Sequence, residues 1–140
     1  MKLTAHFLFA LLVFAAPLAA QDQALRPDER LLTVFDAAHL EMLRTESPLQ
    51  LLRYNYYLDH SWFLVKVPAE KAKGAEGFPV VHIADAQQLN ILAAQRDLNL
   101  QRAFDRPTYY RLEGTDQVLV LRSEKEFARM FDAERRKRGF

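Results

Sequence analysis

The stretch TYYRLEGTDQVLVLR, residues 108–122, decides the fold. Two β-prone runs, TYYRLE and QVLVLR, flank GTD, whose glycine lets the chain reverse, so the stretch predicts a β-hairpin. Alternation in the first arm sends Tyr110 and Leu112 to a core and Tyr109, Arg111 and Glu113 outward. The second arm does not alternate. Its unbroken Val118, Leu119, Val120 and Leu121 predict a strand covered on both faces. Directly after it, Ser123 and Glu126 form a capping box, a hydroxyl at the N-cap and a carboxylate three residues on. The helix they open presents Phe127, Met130 and Phe131 on one side and ends in Arg135, Arg136, Lys137 and Arg138.

Working back toward the N-terminus, SWFLVKV at 61–67 predicts a strand stopped by Pro68. Ser47 and Pro48 start a helix over 49–60, with Ser at the N-cap and Pro at the first turn, where its missing N–H costs nothing. That helix carries two apolar stripes, Leu49, Leu52, Tyr56 and Phe63 on one and Leu51, Tyr54, Leu58 and Trp62 on the other. LLTVF at 31–35 is read as a strand, the other reading being a helix that starts at Asp28, and Asp36 then caps a short helix bearing Leu40 and Leu43. AEKAKGAEG at 69–77 is a charged, mobile loop open to proteolysis, and FPVVHI at 78–83 is a short strand. Asp85 can cap a helix over 86–95, although Leu89, Ile91 and Leu92 fit a strand nearly as well; 96–105 is helix or loop, ending before Pro107. These elements predict an α+β fold: a small antiparallel or mixed sheet with a C-terminal β-hairpin, packed on two to four helices.

The chain has 140 residues, 19 Lys and Arg, 18 Asp and Glu, and no cysteine. Disulfide scaffolds, thiol nucleophiles, thiolate metal sites and iron–sulfur clusters are thereby excluded. Residues 1–20 begin with a short polar start carrying Lys2 and continue as FLFALLVFAAPLAA, an apolar run closing on small residues. This is the layout of a secretory signal peptide cleaved near Ala20, too short to span a bilayer as a helix. Lipoprotein processing needs a cysteine and is excluded. Residues 21–30, QDQALRPDER, read as a flexible lead, and 31–140 as a single domain. Setting Lys2 aside leaves 18 basic against 18 acidic residues, a balance that argues against nucleic acid as partner. The expected product is periplasmic or extracellular, with no transmembrane span, holding its fold by core packing alone.

Two blocks, LRYNYYLDHSWFLVKVP at 52–68 and YYRLEGTDQVLVLRSEKEF at 109–127, resemble segments of small exported proteins of Bacteroidetes without an assigned function. Together they cover about a quarter of the chain. The resemblance implies a Gram-negative envelope setting. It carries no catalytic or ligand motif, so it assigns no site residues.

Four constellations compete for function. His39, His60 and His82, with Glu41, Asp59 and Asp85 near them in sequence, could form a metal or acid–base site, but no His-x-x-x-His or His-Glu-x-x-His spacing occurs, and isolated histidines are the better reading. Ser47, Ser61 and Ser123 lack a Gly-x-Ser-x-Gly setting, and two of them have capping work. Tyr54, Tyr56, Tyr57, Trp62 and Phe63 are either core or a contact surface for protein or glycan; three tyrosines within four helical positions cannot all face one way, so at least one is expected to be exposed. Arg135, Arg136, Lys137 and Arg138 either complement the helix macrodipole or make weak contact with anionic lipid headgroups. No phosphate loop, nucleotide fingerprint or calcium loop occurs, so neither cofactor nor metal is expected.

Together these features predict an exported, non-enzymatic binding or accessory module of the bacterial envelope. Its expected contacts are Tyr54, Tyr57 and Trp62, with Tyr109 and Arg111 of the hairpin and the basic tail Arg135 to Arg138. The alternatives are a small periplasmic hydrolase or metal-binding protein using His39, His60 or His82 with nearby carboxylates, and a homodimer that buries the aromatic face.

Overall fold

The computed structural model describes residues 25–68, 71–83 and 89–140. A 3-10 turn (Glu29–Thr33) leads into helices α1 (Ala37–Glu46) and α2 (Pro48–His60). Strand β1 (Trp62–Lys66), a single helical turn (Ala72–Ala75) and strand β2 (Val80–Val81) come next. Helix α3 (Ile91–Asp97), strands β3 (Thr108–Leu112) and β4 (Gln117–Leu121), and helix α4 (Glu124–Lys137) complete the chain. The strands form one mixed sheet in the order β1-β4-β3-β2. β4 pairs antiparallel with β1 and β3, and β2 adds parallel to β3. This is the α+β architecture that the hairpin predicts. The signal segment 1–20, Asp85 and residues 86–88 lie outside the described residues.

Register explains why the second hairpin arm is apolar throughout. Leu119 and Leu121 share a face with Tyr110, Leu112 and Val81 and pack under the helices against Leu52, Tyr57, Ile91, Phe127 and Phe131. Val118 and Val120 point the other way, against Ala75, with Val67 and Phe78 partly covering them. All four are buried because β4 is an inner strand with neighbours on both faces. Tyr110 and Leu112 turn inward, while Tyr109 and Glu113 are exposed and Arg111 is half-buried, in keeping with the alternation. Gly114 reverses the hairpin at φ 72°, a conformation open to glycine without strain. A separate helical cluster of Leu31, Leu40, Leu43, Leu51 and Leu58 joins α1 to α2.

Capping fixes the helix starts. Asp36 accepts from the N–H of His39 at 2.7 Å, and Ser123 from that of Glu126 at 3.1 Å. Ser47 occupies the N-cap of α2 but makes no side-chain cap bond, so Pro48 alone marks that start. The strand expected at 31–35 is instead the 3-10 turn. Asp28 caps it, Leu31 is fully buried on the helical cluster, and the Asn90 amide holds the Arg30 carbonyl at 2.5 Å, so the segment is fixed among helices and not beside the sheet. Asn90 also accepts from the N–H groups of Leu92 and Ala93 and so caps α3. The strand expected at 78–83 shrinks to two residues because Pro79 has no N–H to donate. The last part of the expected flexible lead is tied down where it is described. Asn55 of α2 accepts from the N–H of Asp28 at 3.0 Å and donates to the Arg26 carbonyl at 2.7 Å.

Candidate functional site

The expected aromatic surface of α2 is largely consumed by packing. Tyr57 is 9 % exposed, meets Phe127 edge-on at 5.0 Å and donates its hydroxyl to Gln95 at 2.9 Å. Burial raises its pKa above the ordinary tyrosine value. It is a core residue and not a contact. Tyr54 is half-buried beneath Phe35 at 5.0 Å, and Tyr56 is half-buried between His60 and Phe131. Trp62 is half-buried and donates its indole N–H to the Leu58 carbonyl at 2.5 Å. None of the three tyrosines is therefore exposed. Phe35, which follows the 3-10 turn, lies against Tyr54, and Phe127 and Phe131 of α4 lie against Tyr56 and Tyr57, neighbours that the spacing does not reveal.

Exposed apolar surface gathers instead on the sheet face turned away from the helices. Register aligns Phe63, Val120 and Tyr109 in one row and Val65, Val118, Arg111 and Val80 in the next. Phe63, Val65, Val80 and Tyr109 are 37 %, 41 %, 49 % and 39 % exposed. Phe78 stacks on Tyr109 at 5.1 Å, and the Arg122 guanidinium sits 4.6 Å above the Phe63 ring. Isolated exposed apolar side chains are ordinary; here four share one face of a small sheet. A cleft of about 520 Å³ opens on this face, lined by Lys66, Val67, Pro68, Ala75, Arg111 and Val118 among others. Hairpin alternation places Tyr109 and Arg111 outward but does not gather Phe63 and Val65 with them. WFLVK is apolar at its first four positions, so the register of β1 on β4, and not its sequence, shows that Phe63 and Val65 join them.

The histidines are engaged separately. His39 stacks on Phe35 at 5.1 Å, His60 on Tyr56 at 3.9 Å, and His82 meets Glu113 at 2.6 Å on the exposed surface. Among the described residues no group of three or more His, Asp or Glu is placed to hold a metal ion. His60 and Asp59 do meet Asp28, Tyr56 and Arg138 in a polar cleft of about 290 Å³. Both carboxylates are bound, however, by one guanidinium. Arg30 donates to Asp59 at 2.8 and 2.9 Å and to Asp28 at 2.8 and 3.0 Å. His60 Nδ1 lies 3.0 Å from the Tyr56 carbonyl, and Ser61 beside it is fully buried, which removes the adjacent hydroxyl as a nucleophile.

Hydrogen bonding from Arg30 holds the Asp28 carboxyl below the ordinary aspartate range, against the opposing effect of burial. A depressed carboxylate stabilises the fold above its unfolded pKa and loses that contribution as pH falls through the lower folded value. Wild type is therefore expected to lose more stability than Asp28→Asn between about pH 6 and about pH 3, a window that brackets the unperturbed aspartate value. Urea unfolding at both pH values checks this, and equal losses would show that Asp28 is not linked to folding.

The basic tail is mostly paired within α4. Arg135 and Arg136 share Asp132, and Arg138 takes Glu134. Among the described residues no helix is long and apolar enough to cross a membrane. Comparison with protein-family models, curated proteins and solved structures finds no match for the chain.

Proposed function

We propose that the protein is an exported, non-enzymatic binding or accessory module of the bacterial envelope, which takes up an extended segment of a partner protein along β1. The observation that carries this reading is the edge of β1, which among the described residues pairs with no strand on its outer side. Arg122 donates to the Ser61 carbonyl and Val67 to the Asp116 carbonyl, so odd-numbered residues of β1 face β4 in hydrogen-bonded pairs. Leu64 and Lys66 then turn their N–H and C=O groups outward, where among the described residues nothing bonds them. Sheet edges are ordinarily protected by shortness, proline, a bulge or charged side chains, lysine above all, and β1 carries one such charge, Lys66, at its end. The opposite edge, β2, has two residues beside Pro79; β1 has five and no proline. Phe63 and Val65 flank this edge on the outer face and would grip alternate side chains of an added strand. The hydrolase and metal-binding readings have less support, because the carboxylates beside His60 are both held by Arg30.

Val65→Lys places a charge on the contact face, and Lys66→Pro removes an outward N–H at a side chain that is 78 % exposed. Both are expected to fold like wild type and to abolish partner capture. The check is a photo-crosslinking residue at position 63 or at position 54 in envelope preparations, with the attached segment identified by mass spectrometry. Adducts from 63 on a segment of alternating apolar residues, lost in Val65→Lys and Lys66→Pro, support strand addition. Adducts from 54 alone would return the contact to α2 and overturn it.

A further inference from the structure

We infer that the cleft beside Arg111 is a binding site for a medium-chain alkyl carboxylate. Its floor is apolar, formed by Val67, Ala75 and Val118, with Pro68 at one end. Its volume of about 520 Å³ falls within the range of small-molecule sites, which are mostly apolar with few placed polar groups. Among the described residues the charges on its wall do not balance: Lys66 and Arg111 face one acid, Asp116. Lys66 is matched by Asp116 at 3.3 Å, and Glu113, two residues from Arg111 and on the same side of β3, is taken by His82 at 2.6 Å. Among the described residues no carboxylate pairs with Arg111. A half-buried guanidinium at this cleft, with Asp116 of the same lining paired to Lys66 and Glu113 paired to His82, has the chemistry to bind one carboxylate, through two parallel N–H donors.

The sheet hydrogen bonding favours an alkyl chain over a peptide on that carboxylate. Val118 lies between Val65 and Arg111, on the inner strand β4, so its N–H and C=O are committed to the ladders. A peptide lying in the cleft would leave its own amide groups without partners over that floor, which is costly. An alkyl chain has no such groups. The cleft reaches the end of β1 at Lys66, but it is centred on the sheet face beside Arg111 and Val118, whereas strand addition uses the outer edge of β1.

The test is calorimetric titration of the purified protein with decanoate below its micelle concentration, beside decanol and decyltrimethylammonium, with amide NMR shifts to locate the site. Wild type is expected to bind decanoate more tightly than decanol and to exclude the cation, with shifts centred on Arg111, Thr115 and Val118. Arg111→Gln should weaken decanoate by about 10-fold or more and leave decanol unchanged, as loss of a charge-assisted hydrogen bond requires. Arg111→Lys should retain part of the preference. Failure of folded wild type to bind, equal affinity in Arg111→Gln, or shifts centred on another surface would each overturn the assignment. If Arg111→Gln does not fold, the carboxylate, alcohol and cation comparison on wild type decides alone.

Discussion

Arg102→Ala is expected to destabilise the protein by about 3–5 kcal/mol, the usual consequence of breaking a buried charged network by removing one partner. The Arg102 side chain is 5 % exposed and uses its whole fork. Nε donates to the Arg122 carbonyl at 2.6 Å, Nη2 to the Ser61 carbonyl at 2.8 Å and Nη1 to Glu124 at 3.2 Å. The guanidinium lies 4.6 Å over the Tyr57 ring and 5.3 Å over Phe127. It thus joins the junction of α2 and β1, the end of β4 and the first turn of α4. The loop carrying it is fixed independently. Tyr110 accepts from the Gln101 N–H and donates to its carbonyl, and the Ala103 and Phe104 carbonyls receive the first N–H groups of α4. The arginine therefore cannot swing out to water without undoing that helix start. The melting temperature should fall by about 10–20 °C. Arg102→Lys keeps the charge but not the planar fork, so it should recover only part of the loss. A drop below about 1 kcal/mol in Arg102→Ala would mean that the loop holds without its arginine.

Arg102 also shows where sequence reading stops. Spacing leaves its segment between helix and loop, because its partners lie 20, 22 and 41 positions away. The hairpin and the Ser123 cap are legible because every atom that determines them lies within a few residues. The 31–35 segment misleads for the opposite reason. Its β-branched and aromatic residues suit a strand, but Leu31 and Phe35 pack into the cluster of α1 and α2, remote in sequence from the strands. The tyrosines of α2 fail in a third way. Helical spacing gives the angles between Tyr54, Tyr56 and Tyr57, but which faces are covered depends on Phe35 and on α4, both remote in sequence. On the outer sheet face, Tyr109 and Arg111 can be assigned from the hairpin alone. Their joining with Phe63 and Val65 requires the register of β1 on β4.

Phe127→Ala is expected to cost about 3–5 kcal/mol, because a fully buried aromatic is replaced by a cavity that its neighbours cannot close. The ring sits where α2, α4 and the loop carrying Arg102 meet. Tyr57 touches it edge-on, Tyr56 and Phe131 flank it at 5.8 and 6.2 Å, and Arg53 and Arg102 lie over it. Collapse would require α2 and α4 to approach, yet the capped start of α4 and the Arg102 network hold them apart. Phe127→Leu refills most of the space and should cost distinctly less. Because Phe127 and Arg102 are in contact, their effects should not add, and a double-mutant cycle should show coupling above about 0.5 kcal/mol. The inner face that Phe127 supports is separated from the outer face by the thickness of the sheet. Folded Phe127→Leu is accordingly expected to lower the urea midpoint while leaving strand capture and decanoate affinity at wild-type values. Val65→Lys should lose strand capture at an unchanged urea midpoint. Loss of binding in Phe127→Leu, at a temperature where circular dichroism shows it folded, would mean that the two faces are coupled and that the outer surface is not an independent site.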